Sequence, residues 1–120
     1  MIDYERIKET KIEDFIFIIY YLIITLSLIN NKIEREYLLY KDPSDKEKYR
    51  HILLIIYIIA TIVYIYYTYS SYQDLKNTSP ESKKLNELSF LASILVLISG
   101  FIYLYIINKD EDISVEIAFN

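Results

Sequence analysis

HILLIIYIIATIVYIYYTYSSYQ, residues 51–73, runs for 23 residues without Asp, Glu, Lys or Arg. At about 1.5 Å of rise per residue, roughly 20 residues cross a hydrocarbon core about 30 Å thick. A helix built from this stretch is apolar on every face, which leaves it no stable place in water outside the core of a large protein. Working outward, FIFIIYYLIITLSLINN (15–31) and LSFLASILVLISGFIYLYIIN (88–108) repeat the pattern over 17 and 21 residues. The first is slightly short, but Ile12 and Ile33 extend its apolar surface past the flanking charges, and Lys11 and Lys32 have stems long enough to snorkel. A chain of 120 residues cannot hide three such helices in a soluble core. The expected fold is all-α: a three-span antiparallel transmembrane helical bundle with short connections. It forms a single integral membrane domain over 1–120, with spans at about 14–31, 52–73 and 88–108.

The polar punctuation predicts where these helices begin and end. Thr10 to Glu13 form a T-x-x-E capping box ahead of the first block, and a start as early as Asp3 is an alternative. Ile33, Tyr37 and Tyr40 continue the helical period past the block, and Pro43 stops the helix near Lys41. Ser44 to Glu47 make a second capping box that launches the second helix, which frays near Lys76 and Asn77. Ser79 as N-cap with Pro80 behind it predicts a third helix from Pro80 to about Asn108. Ile113 to Phe119 alternate apolar and polar with a period of two, which fits a short extended C-terminal tail.

Composition removes whole classes of function. Without cysteine there is no disulfide framework, thiolate metal site or Cys nucleophile. The net charge of −4 comes from 13 basic and 17 acidic residues interleaved in the polar stretches, so nucleic acid is not an expected partner. Ile occurs 24 times and Tyr 14 times while Gly, Ala, Pro and Arg together occur nine times, the bias of A/T-rich codons and of a low-GC bacterium. No small residues follow the first block in the Ala-x-Ala manner of a cleavable signal, so that block is read as a retained span. No Gly-rich phosphate loop and no Ser-His-Asp set can be assembled around one histidine, His51, at the edge of a span. The expectation is a protein that is not an enzyme, with no cofactor, no metal and no evident small-molecule substrate.

Two sets of residues carry what local chemistry there is. Tyr57, Thr61, Tyr64, Thr68 and Ser71 recur every three or four residues, forming one mildly polar stripe down a face of the second helix. Such a stripe either lines a path for a polar solute or turns its hydroxyls inward to bond across the bundle. The crowding of Tyr66, Tyr67, Tyr69 and Tyr72 at one end, where an interfacial aromatic belt belongs, favours the second use. On the third helix Ser89, Ala92, Ser93 and Gly100 fall within a narrow arc, a helix-packing face that lets another backbone come close. Gly100 is the only glycine.

The three blocks hold no Asp, Glu, Lys or Arg, which argues against an ion-coupled transporter. The leading expectation is a small multi-pass membrane protein without a catalytic site, acting as an accessory or interaction subunit of a membrane complex or as a homo-oligomer. Its partners are then the lipid bilayer and another membrane protein or itself. The alternative is a holin-like pore-forming or lytic protein, from which the acidic run Asp110 to Asp112 departs, since such proteins commonly end in a basic tail. The first helix is flanked by three basic residues before it and six after it. That difference places the first connection in the cytoplasm, the N-terminus outside the cell membrane and the C-terminus in the cytoplasm.

Overall fold

A computed structural model of the protein describes residues 2–110. Three long helices account for nearly all of it: α1 (Tyr4–Tyr40), α2 (Pro43–Lys76) and α3 (Lys83–Lys109). Each is long and apolar enough to cross a membrane. The extended tail expected over 113–119 lies outside the described residues.

Local chemistry explains the boundaries, some of which differ from the sequence-based ones. α1 takes the earlier start, because the Asp3 side chain accepts a hydrogen bond from the backbone N–H of Arg6 and caps the first turn. α2 starts at Pro43 rather than at Ser44, with Asp42 as N-cap accepting from Ser44 N–H and the proline at the first helical position, where its missing N–H costs nothing. α3 starts at Lys83 behind Ser82, three residues later than Pro80, and residues 80–82 form a turn instead. Between α1 and α2 only Lys41 and Asp42 intervene. Lys41 takes a left-handed conformation, φ 56°, and its N–H donates to Tyr37 O at 2.7 Å, which turns the chain back on itself.

Contacts between α2 and α3 step backwards along α3 as α2 advances: Arg50 meets Ile107, Thr61 meets Gly100, and Thr68 meets Ser93. The neighbours are therefore antiparallel, as short connections require. α2 packs on both α1 and α3, whereas α1 and α3 make no direct backbone approach among the described residues. Centrality shows in burial: a third of the apolar span of α2 is covered, against about a tenth in α1 and α3.

The core gathers along α2, where Tyr49, Leu53, Ile56, Tyr57 and Ala60 join Ile23 of α1 and Ile107 of α3. The buried residues of α1 are Ile16, Ile23 and Asn30, at seven-residue spacing, the seam of one helix laid along another. Outward, α1 and α3 present Phe15, Phe17, Ile18, Leu22, Leu95 and Phe101, all exposed. Water would not tolerate so broad an apolar surface, and a bilayer requires it.

Candidate functional site

Ser93 and Gly100, two of the four residues in the small-residue arc of α3, face the α2 stripe. Tyr57 and Thr61 are buried, and Tyr64, Thr68 and Ser71 are half-buried. A β-carbon built on Gly100 would stand 3.0 Å from Thr61 Oγ1 and 3.1 Å from the Tyr64 ring. Glycine removes the atom that would hold the helices apart.

Two helical turns further on, hydroxyls take over from close packing. Thr68 donates within its own helix to Tyr64 O at 2.8 Å and lies 3.2 Å from Ser93 O across the seam. Ser71 Oγ and Ser93 Oγ are 2.9 Å apart, and Ser93 also donates to Ser89 O at 3.0 Å. These bonds keep the side-chain hydroxyls satisfied where lipid offers nothing to bond. Thr61 is the exception, since its Oγ1 is sealed without a partner and is pressed against Gly100 instead.

At the opposite end of the seam Tyr57 packs against Tyr103 with the rings tilted by 48° and their centroids 5.3 Å apart. Beyond it Arg50 reaches over the end of α3 and donates to the carbonyls of Ile107 at 3.3 Å and Asn108 at 3.2 Å. A cation on the last carbonyls of a helix satisfies acceptors that have no partner within the helix and complements the negative end of its dipole.

Ser89 and Ala92 do not sit under α2. They line a groove of about 290 Å³ with Tyr20 of α1, Tyr64 and Tyr67 of α2, and Ser93 and Val96 of α3. All three helices contribute to it. Among the described residues no group of three His, Cys, Asp or Glu comes together as a metal site would require.

Asn30 was not singled out by sequence reasoning, yet it is fully buried with neither amide atom hydrogen-bonded. Its signal was available: a carboxamide falls seven residues after Ile23 on the inward stripe of α1. On α2, Tyr49 is buried with its hydroxyl sealed and outside hydrogen-bonding geometry. Burial first, and then the neighbouring Glu34 carboxylate, push that phenol well above its ordinary range. At the N-terminal end Arg6 pairs with Glu9 and Glu13, both at 3.2 Å, and Glu13 contributes most to holding the guanidinium protonated.

No family of known proteins matches the chain, and neither does any curated protein or solved structure.

Proposed function

We propose that this small multi-pass membrane protein is not an enzyme and works through helix packing, as an accessory subunit of a larger membrane complex or by self-association. One observation carries the reading. The hydroxyl-bearing face of α2, the best lining the chain has for an aqueous path, is spent on α3 through Ser93 and Gly100. What remains outward is apolar helix surface, suited to lipid and to the helices of a partner. No cofactor, metal or nucleic acid enters this account.

The orientation that goes with it puts the first connection and the C-terminus in the cytoplasm, supported by the excess of Lys and Arg after the first span. A holin-like pore is the second reading. It requires several copies whose α2 stripes have turned away from α3 to face water, and the packing of Thr61 and Tyr64 on Gly100 weighs against it.

Photo-crosslinking in the native membrane tests the proposal. A benzoylphenylalanine introduced in turn at Phe17, Leu22, Leu95 and Phe101 should give a discrete adduct from one helix face. Its mass should match a second copy or one co-purifying membrane protein. Lipid adducts alone at all four positions would contradict the proposal. Abrupt, timed dye entry on controlled expression, abolished by Thr61→Leu with Thr68→Leu at normal membrane levels, would establish the pore instead.

A further inference from the structure

We propose that the inward stripe of α1 is a pairing surface for a second copy of this chain, completed by a reciprocal hydrogen bond between the two Asn30 amides. The proposal rests on the self-association half of the function proposed above. Ile16, Ile23 and Asn30 recur every seventh residue and are buried, and Ile19, Leu26 and Ile33 fill the positions between them, half-buried against the same core. That is an unbroken a/d heptad pattern across the first span, the pattern by which two parallel helices fit one another.

A single copy leaves the one polar member of this stripe unserved. The Asn30 carboxamide has two N–H donors and a carbonyl oxygen with two lone pairs, and neither atom is hydrogen-bonded although the residue is completely buried. The hydroxyls just before it on α1 behave differently, since Thr25 and Ser27 donate to Tyr21 O and Ile23 O of their own helix. An amide held away from water without a partner is costly, and a state that pairs it is favoured by the bond it gains. A second copy supplies the matching chemistry at the matching place. Copies inserted in the same direction carry Asn30 at the same depth, and a carboxamide is self-complementary. A two-fold axis beside the residue therefore makes two N–H···O bonds from two identical groups. Little holds α1 in the single copy, where about a tenth of its apolar span is covered. Turning it away from α2 exposes apolar surface to lipid, which costs packing but no hydrophobic free energy, and leaves the α2–α3 seam as it is.

Disulfide cross-linking of the full chain tests this, in lipid vesicles at graded protein-to-lipid ratios with copper phenanthroline as oxidant. Ile23→Cys places a thiol that α2 covers in the single copy, and Ile18→Cys places one on the exposed face of α1. The chain has no other cysteine. Ile23→Cys should give a disulfide-linked dimer and Ile18→Cys should not, because two thiols join only where their backbones come within about 6 Å. Adding Asn30→Leu to Ile23→Cys should weaken association about three- to thirtyfold, and Asn30→Gln, which keeps the amide, should restore most of it. Misfolding does not mimic this result, since Asn30→Leu removes an unpaired buried amide and should raise the melting temperature in detergent while it lowers association in lipid. A dimer from Ile18→Cys with none from Ile23→Cys would overturn the proposal and leave self-association standing through another face. Equal dimer from both positions, none from either, or an Ile23→Cys dimer indifferent to Asn30→Leu would overturn it too.

Discussion

Gly100 of α3 lies directly beneath Thr61 of α2, so that a β-carbon at position 100 would come to 3.0 Å from the threonine hydroxyl. That spacing is tighter than ordinary van der Waals contact, so even alanine would require Thr61 or Tyr64 to give way by a few tenths of an ångström. Gly100→Leu should therefore destabilise the α2–α3 pair by about 1 to 3 kcal/mol through overpacking. Leu97→Ile, a volume-conserving change near the same seam, should cost less than about 1.5 kcal/mol. Thermal unfolding in detergent reads the difference. Equal melting temperatures for wild type and Gly100→Leu would mean that the two helices do not meet at this glycine.

Asn30 gives a prediction of opposite sign. Its amide is fully buried and unpartnered in the seam between α1 and α2, on the same stripe as Ile16 and Ile23. A lone polar residue at such a position fixes register at a cost in stability. Asn30→Leu should raise the stability of the α1–α2 hairpin by about 1 to 3 kcal/mol, the desolvation penalty of the unpaired amide. Detergent unfolding is again the measurement, and a lower melting temperature would show that the amide has a partner.

Tyr49 makes stability depend on alkaline pH. The phenol lies just before the second span, and burial, followed by the Glu34 carboxylate, raises its folded pKa above the ordinary value of 10.0. The unfolded chain therefore loses this proton first as the pH rises. The full contribution is present below about pH 10 and declines above it. Melting temperatures measured from pH 8 to 11.5 should fall in the upper part of that range, and Tyr49→Phe should flatten the fall. Parallel curves for the two proteins would contradict the assignment.

Much of this architecture is legible in the sequence because membrane burial is a strong and simple constraint. Charges stop before Phe15, His51 and Leu88, and the helices that cross those blocks are the ones in the structure. Their exact starts were harder, because several polar residues near each end can cap and the sequence does not rank them. Asp3 displaced Thr10, Asp42 displaced Ser44, and Ser82 displaced Ser79. Helical period puts Thr61 and Thr68 on one face and Ser93 and Gly100 on another, but period within a helix does not say which faces meet. The role of Arg50 is hidden for the same reason, since the carbonyls it caps are 57 and 58 residues away. Asn30 does not stand out in the sequence because an amide near the end of a span reads as a headgroup-level residue, and only the helix that covers it makes it part of the interior.

α3 covers the polar face of α2 through Ser93 and Gly100, and that packing should keep water from Thr61 and Thr68. The chain has no cysteine, so a single thiol can be placed wherever it is wanted and read without background. Thr61→Cys and Thr68→Cys, each in native membranes, should resist a charged, membrane-impermeant maleimide added to both sides. Lys48→Cys, in the first turns of α2 ahead of its apolar span, and Ser79→Cys, in the connection between α2 and α3, both exposed, should react within minutes. Protection at 61 and 68 with labelling at 48 and 79 is the predicted result. Rapid labelling at Thr61→Cys and Thr68→Cys would place those positions against water and contradict the packed seam.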